Sequence, residues 1–178
     1  MLTSADFASR RDRQPVTVAA VSTVTPTYPN TDLDLPDIAT DSGVGAPPPA
    51  RPFRDSIARV AYEEAGVAPS DVSCAEVYDL STALELDWYE NIGLCGPGEA
   101  EALLHSGATT LGGRVPVNPS GGLACFGEAI PAQALAQVCE LALQLRGEAG
   151  DRQVEGATVG LAINQGLFGH GSCVIVAR

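Results

Sequence analysis

A tyrosine after a short apolar run and a glutamate after a glycine pair are the residues best suited to acid–base chemistry. Tyr78 follows a buried-strand candidate at 74–77, and α/β folds gather ligand-binding side chains at the carboxyl ends of strands. Glu128 closes the segment 115–128, whose glycines allow backbone to pass close to other backbone or to a ligand. A carboxyl group there could abstract a proton if burial raised its pKa toward neutrality.

Each of these residues also has a purely structural interpretation. Tyr78 could be a core tyrosine with a hydrogen-bonded hydroxyl group. Glu128, near a predicted helix start, could be a carboxylate favoured by the helix dipole or paired with an arginine. Asn118 and Ser120 could fix the turn before the glycines through side-chain to backbone hydrogen bonds. The residues alone leave both interpretations open.

The elements that must position these residues follow from hydrophobic periodicity and from Pro and Gly punctuation. Helices are predicted at residues 52–65, 81–92, 97–104 and 126–145, the last with an alternative start at Pro131. The predicted apolar face of that last helix is Ile130, Ala134, Leu135, Val138, Leu141, Ala142 and Leu145. Strands are predicted at residues 16–24, 74–77, 157–163 and 172–177, the last two joined as a hairpin by Gly166, Gly169 and Gly171. This order predicts an α/β sandwich with a mixed sheet.

Composition excludes several classes of function. The chain has 178 residues, enough for one domain, and a formal net charge of −12, which argues against nucleic acid or an anionic membrane as a partner. All ten basic residues are arginine, so no lysine of this chain can form a Schiff base. The Pro-, Asp- and Gly-rich stretch at 25–50 predicts a long loop inside that single domain.

The cysteines and histidines do not form a metal-binding pattern. Five cysteines are scattered without a C-x-x-C spacing, and only two histidines accompany them, so no metal site is expected. Reduced thiols indicate a cytoplasmic protein. No apolar run approaches the length of a membrane span.

Four stretches in register resemble the C-terminal half of a thiolase of the lipid-transfer, or sterol-carrier-protein, branch. They are AEVYD at 75–79, GLCGPGE at 93–99, VNPSGGL at 117–123 and QLRGEAGDRQV at 144–154. The resemblance extends over nearly all of residues 1–178. It implies a single thiolase-like C-terminal domain of βαβαβαββ order, with helices covering a mixed five-stranded sheet.

The resemblance also implies an incomplete active site. In thiolases the nucleophilic cysteine belongs to the N-terminal half, so a thiolase-like N-terminal half or a homologous subunit is expected as partner. The implied substrate is a coenzyme A thioester, with no covalently bound cofactor.

The family's catalytic positions carry other residues in this chain. Tyr78 stands where thiolases have an asparagine or histidine that helps hold the thioester oxygen. Glu128 replaces the histidine of the family's Gly-His-Pro motif, and Gln165 is the implied counterpart of its second catalytic cysteine, so ordinary thiolysis is not expected. The implied substrate-binding residues are Asn118, Gly121, Gly122, Gln165 and His170.

A subset of this branch, the retro-aldolases of steroid side-chain breakdown, uses tyrosines at the first two of those positions. Those enzymes pair with small proteins that carry an OB-fold and a zinc ribbon. Tyr78 fits that pattern and Glu128 departs from it. The resemblance places the Gly121–Gly122 loop beside the strand that ends at Tyr78, so Tyr78 and Glu128 are predicted to converge on one pocket.

Three functions therefore stay open at this point. The chain could be part of an acyltransferase acting on an acyl-CoA, or of an aldolase-type lyase that cleaves a β-hydroxyacyl-CoA such as a steroid thioester. It could also be a degenerate half-domain that binds lipid acyl-CoA or stabilises a partner enzyme without catalysis.

Overall fold

Helices cover both faces of a single β-sheet. The computed structural model describes residues 2–10, 14–25, 53–129, 132–166 and 170–178, and of residues 53–56 it describes the backbone. The strands are β1 (Thr17–Val24), β2 (Cys74–Val77), β3 (Val159–Gln165) and β4 (Gly171–Ala177). The helices are α1 (Ala5–Ala8), α2 (Phe53–Ala65), α3 (Thr82–Asn91), α4 (Ala100–His105), α5 (Gly122–Phe126) and α6 (Ala132–Arg146). The predicted loop at 25–50 lies almost wholly outside the described residues.

The sheet is mixed, as the sequence predicts. Its strand order is β1-β4-β3-β2, with antiparallel pairs between β1 and β4 and between β4 and β3. Among the four described strands, β2 and β3 are the one parallel pair, and the connection between them contains α3, α4, α5 and α6. Because parallel neighbours end at the same edge, the carboxyl ends of β2 and β3 meet there.

The predicted fifth strand is not confirmed, since the described residues form four. Residues 115–117 lie alongside β2 but contribute only one parallel bridge, between Ala75 and Val117. Pro116 accepts a hydrogen bond from the Ala75 N–H at 3.0 Å, but it has no N–H of its own to extend the ladder. Asn118 then turns away with φ 50. Pairing therefore stops after this bridge.

One core lies on the face covered by α2, which packs on β1 and β4. Ile57 and Ala61 of α2 and Trp88 of α3 are fully buried in it. Leu84 and Trp88 of α3, with Ile92 just after the helix, recur at every fourth residue and are buried, so they form its inward face. Ser81 caps this helix by accepting the Leu84 N–H at 3.2 Å.

The helix on the opposite face, α6, begins later than the primary prediction of Phe126. Residues 122–126 form the separate helix α5, and Gly127, with φ 79 and ψ 167, ends it. Leu141 and Leu145 of α6 are fully buried, as predicted, but Leu135 is 69% exposed. Its place on the inward face is taken by polar residues, namely Gln133, Gln137, Glu140 and Gln144.

The remaining boundaries differ from the prediction by up to three residues. The predicted helix at 97–104 is α4, which begins at Ala100. The hairpin strands begin at Val159 and Gly171, where residues 157 and 172 were expected.

The contrast between two leucines of α6 gives a stability prediction. Leu141→Ala removes a fully buried side chain, so we expect it to lower the free energy of unfolding by about 2–5 kcal/mol. Leu135→Ala, on the exposed side of the same helix, should change it by less than about 0.5 kcal/mol. Urea unfolding followed by circular dichroism measures both. Equal losses for the two variants would show that α6 packs by a different face.

Candidate functional site

The candidate site lies where β2 ends. All four residues of β2 are buried, and its parallel register with β3 runs from Cys74 and Gly160 to Val77 and Ile163. Tyr78 follows immediately, so its backbone leaves the sheet at the carboxyl edge. A second segment, residues 118–129, passes over this edge and is called the site loop below.

Tyr78 and Glu128 meet at this edge, as the sequence predicts. The Tyr78 hydroxyl group donates a hydrogen bond to Glu128 Oε1 at 2.5 Å. The tyrosine is 7% exposed, whereas the glutamate is exposed and belongs to no helix. Trp88 Nε1 donates to the Tyr78 carbonyl at 3.1 Å and fixes the backbone behind the phenol. The hydrogen-bonded tyrosine therefore has a physical basis here, whereas the burial on which proton abstraction by Glu128 was expected to depend is not found among the described residues.

The environment keeps the Tyr78 phenol protonated. Burial raises the pKa of Tyr78 well above its usual range, and the hydrogen bond to Glu128 and the charge of that carboxylate raise it further. A phenol held neutral is a hydrogen-bond donor at any physiological pH. The pair can therefore offer one acid and one base to a ligand that displaces their mutual bond.

Two carboxylates that flank Tyr78 were not identified from the sequence as part of the site. Asp79, 7% exposed, accepts the Leu123 N–H at 2.8 Å through Oδ1. Glu76, with no exposed surface, accepts the Ser120 N–H at 3.0 Å and the Ser120 hydroxyl group at 2.7 Å. An acidic residue inside an otherwise apolar strand was the available signal, because buried carboxylates occur almost only when paired.

The turn residues behave as their structural interpretation predicts. Asn118 Oδ1 accepts the Val77 N–H at 2.8 Å, and Ser120 Oγ accepts the Gly122 N–H at 3.1 Å. The Asn118 Nδ2 atom is buried and has no hydrogen-bond partner among the described residues. A substrate-binding role for Asn118 remains a prediction, and this free donor is the atom that would serve it.

The glycine pair is explained by contacts within the protein. Gly122 has φ 64, and a Cβ atom there would lie 2.2 Å from Asp79 Oδ2. Gly121 has φ 97, and its Cβ would lie 2.8 Å from the sulfur of Cys125. Close approach of the backbone is thus required whether or not a ligand binds, and ligand contact by either glycine stays a prediction.

Gln165 and His170 have different surroundings. Gln165 ends β3, beside the end of β2, and is 4% exposed. Both its Oε1 and its Nε2 are buried without a hydrogen-bond partner among the described residues. His170 is exposed, and its Nδ1 lies 3.3 Å from Thr25 Oγ1 just beyond β1. Residues 167–169 of the predicted hairpin turn are outside the described part.

The described ranges contain no group of three or more His, Cys, Asp or Glu residues that could hold a metal ion.

Two of the thiols are held in the protonated form near neutral pH. Burial raises the pKa of Cys74 and of Cys173 to about 12, and nearby Glu76 adds to the effect at Cys74. No helix in the described ranges is both long enough and apolar enough to cross a membrane.

Comparison with known proteins gives concordant matches. A family model described as thiolase C-terminal domain-like matches residues 49–178. Sterol carrier protein 2 of Gallus gallus is 38% identical over 170 residues, covering 95% of this chain and 30% of its own length. Sterol carrier protein 2 of Oryctolagus cuniculus is 50% identical over 112 residues, covering 63% of this chain and 20% of its own length. The chain thus spans less than a third of these relatives.

A solved structure, the Ltp2-ChsH2(DUF35) aldolase, has a similar fold. It superposes with a TM-score of 0.77 at 24% identity, over 99% of this chain and 43% of that one. At this identity the likeness is one of fold.

The buried Glu76 carboxyl group gives a prediction about pH. Burial raises the pKa of Glu76 to about 7, although its two hydrogen bonds from Ser120 oppose the shift. Between the ordinary glutamate pKa and 7 the folded protein holds a proton that the unfolded chain has released. The free energy of unfolding should therefore fall as pH rises through this window and stay lower above it.

Glu76→Gln removes this titration and should raise stability relative to the parent protein at pH 8 but not at pH 4. Chemical unfolding from pH 4 to 8 measures the difference, and Glu155→Gln, at an exposed position, is the control. A difference that does not grow with pH would mean that Glu76 is ionised in the fold throughout.

Proposed function

The chain belongs to the thiolase C-terminal domain-like family, and on that premise we propose that it forms half of an active site for retro-aldol cleavage of a β-hydroxyacyl-CoA. Steroid-CoA thioesters are among the substrates this proposal covers. The observation that carries it is the 2.5 Å hydrogen bond between the Tyr78 phenol and Glu128. The pair supplies an acid and a base at the strand edge where family members place their catalytic groups.

Carbon–carbon cleavage is favoured over acyl transfer because Gln165 stands where the family resemblance implies the second catalytic cysteine of thiolysis, and the buried thiols of this chain do not replace it. The high pKa values of Cys74 and Cys173 leave those thiols protonated near neutral pH. Burial also raises the pKa of Cys95. Retro-aldol chemistry needs no covalent intermediate on sulfur, only proton transfer and stabilisation of an enolate.

The proposed step balances without a cofactor. The Glu128 carboxylate accepts the proton of the substrate's β-hydroxyl group while the bond between Cα and Cβ breaks. The electron pair of that bond forms the thioester enolate, and the Cβ carbon leaves as a ketone or an aldehyde. Tyr78, held neutral, donates a hydrogen bond to the enolate oxygen, and the proton taken up by Glu128 returns to Cα to give the shortened acyl-CoA.

Free polar atoms near the same edge are the proposed contacts to substrate. The Gln165 carboxamide has a buried donor and a buried acceptor without hydrogen-bond partners among the described residues, and leaving such groups without partners costs about 1–3 kcal/mol each. A substrate carbonyl oxygen would accept from the donor, and a substrate hydroxyl group would donate to the acceptor. Asn118 Nδ2 is a second donor without a partner among the described residues, and Gly121 and Gly122 are proposed to let the site loop pass close to the thioester. His170, being exposed, is proposed to contact the outer part of the ligand.

Completion of this site by a second polypeptide or domain is part of the proposal. The chain corresponds to 43% of the structurally similar protein and to 20–30% of the curated relatives described above. We propose a thiolase-like N-terminal half or a homologous subunit as the completing unit, seated on the outward face of α6 where Leu135 is exposed. Since the name of the similar structure includes a DUF35 component, a small OB-fold protein with a zinc ribbon is a second candidate partner.

The alternative is a non-catalytic half-domain that binds lipid acyl-CoA or supports a partner enzyme. The mutual hydrogen bond of Tyr78 and Glu128 favours it, because each group already satisfies the other. For either function, five free cysteines favour a reducing compartment such as the cytoplasm.

Substitution distinguishes the catalytic from the supporting role. In the complex purified with its partner, Tyr78→Phe should lower turnover of a 3-hydroxyacyl-CoA at least about tenfold, roughly 1.4 kcal/mol of barrier. Glu128→Gln should do the same, because the base is lost. Tyr89→Phe is the control, since its hydroxyl group donates to Glu85 at 2.6 Å in an analogous pair. Product analysis by chromatography and mass spectrometry measures the rate, and full activity of both site variants would exclude the catalytic proposal.

Association is the second expected outcome. An isolated thiolase-like half exposes the surface that its partner covers, so the purified chain should self-associate or capture a thiolase-like partner at micromolar concentration. Leu135→Glu should weaken this association, whereas Leu111→Glu, at a position 52% exposed outside any helix or strand, should not. Sedimentation velocity measures the association of both variants. A monodisperse monomer that captures no partner from its own cells would contradict the proposal.

A further inference from the structure

The site loop is tied to β2 by a series of hydrogen bonds that bracket Tyr78. The Asn118 N–H donates to the Ala75 carbonyl at 2.8 Å, and the next residues of β2 bind the loop through Glu76 and the Val77 N–H. After Tyr78, the Asp79 carboxylate receives the Leu123 N–H. Every residue from 75 to 79 is therefore bonded to the segment 118–128, Tyr78 through its own hydroxyl group.

From this geometry we propose that Asp79 is the positioning residue that holds Glu128 against the Tyr78 phenol. The proposal rests on the proposed function only in treating that pair as catalytic. Glu128 is exposed, and an exposed side chain spends little time in one arrangement unless its backbone is fixed. Asp79 supplies the fixed point nearest to Glu128 on the N-terminal side of the loop.

The attachment is compact and chemically specific. Asp79 Oδ1 receives the Leu123 N–H at 2.8 Å, and Oδ2 lies 3.5 Å from the donor N–H of Ala124. From there one turn leads to Gly127, whose N–H donates to the Leu123 carbonyl at 2.7 Å. Glu128 is the next residue. Two consecutive hydrogen bonds thus connect the carboxylate beside Tyr78 to the residue before Glu128.

A second fixed point lies just beyond Glu128. Gln133, 6% exposed on α6, accepts the Ala129 N–H through Oε1 at 2.9 Å. The backbone N–H of Gln133 also donates to the Ala129 carbonyl at 3.0 Å. Glu128 is therefore held from both sides, by β2 through Asp79 and by α6 through Gln133.

Gly122, the residue before Leu123, lies so close to the Asp79 carboxylate that no side-chain atom fits between them. A Cβ on Gly122 would lie 2.2 Å from Asp79 Oδ2 and 2.9 Å from Oδ1. An alanine there must push either the carboxylate or the loop away. Loss of the Asp79 carboxylate and an added side chain at Gly122 should therefore each displace Glu128 from Tyr78.

The test uses fluorine NMR of Tyr78 to detect whether Glu128 is in contact with the phenol, so it does not rely on activity. Tyrosine in the chain is replaced by 3-fluorotyrosine, and the fluorine resonance of Tyr78 is assigned with Tyr78→Phe. Glu128→Ala gives the resonance of the unpaired phenol. Asp79→Ala and Gly122→Ala should both move the Tyr78 resonance to that position while the resonances of the buried Tyr62 and Tyr89 stay unchanged.

Matched controls separate positioning from general stability. Asp71→Ala removes a carboxylate that accepts the Ala68 N–H at 2.8 Å away from the site. Gly150→Ala introduces the same backbone strain, at φ 63 with nothing within 4 Å of its Cβ. Both should leave the Tyr78 resonance in place. A Tyr78 resonance that stays at the parent position in Gly122→Ala, or in a folded Asp79→Ala, would overturn the proposal.

Turnover of the completed complex supplies the second readout. Asp79→Ala should lower turnover at least about tenfold, with a much smaller change in KM, because Glu128 is displaced but the surfaces that bind the ligand remain. If the resonance moves as expected while Tyr78→Phe keeps full activity, the positioning role stands and the lyase proposal fails. If the resonance does not move and Tyr78→Phe is inactive, the positioning role of Asp79 fails and the lyase proposal stands.

Discussion

Two buried carboxylates on either side of Tyr78 are the constraint on which the site depends. Neither Glu76 in β2 nor Asp79 just after it can remain buried without hydrogen-bond partners, because an unpaired buried carboxyl group, charged or neutral, is costly in free energy. The described donors all come from one segment, the N–H and hydroxyl groups of residues 120–124. The need to satisfy these oxygens therefore brings the site loop to the strand edge, and Glu128 arrives at Tyr78 as a consequence.

Local periodicity predicted most elements of this fold but misread the inward face of α6. The apolar pattern placed Leu135 inside, yet the buried positions include Gln133, Gln137 and Gln144. Each of these amides binds main-chain groups of neighbouring segments; Gln137, for example, donates to the Val77 carbonyl at 3.1 Å. A single sequence shows that a glutamine is polar, but it does not show that a buried main-chain group will pair with the amide. The described residues leave Leu135 exposed on the opposite side of the helix.

The site was predictable only in part, and for a related reason. Tyr78 and Glu128 are side chains with recognisable chemistry, and a family resemblance was enough to bring them together. Asp79 was visible in the sequence, but its partner is the backbone N–H of Leu123, which every residue except proline possesses. Side-chain types alone cannot identify such a pairing. The glycine at 122 was the remaining signal, and the required closeness was to Asp79, not to a ligand.

The order of strands in the sheet has a consequence for how the protein is made. Thr17 pairs with Ala177, and Cys74 pairs with Gly160. Strands β1 and β2 are therefore synthesised long before their neighbours exist, and such distant pairings form slowly. Until residues 159–177 have been synthesised, β2 lacks the strand that it pairs with in the sheet, although the residues that bind Glu76 are already present. The carboxyl edge of β2, which carries the candidate site, therefore depends on a strand partner from the last twenty residues of the given sequence.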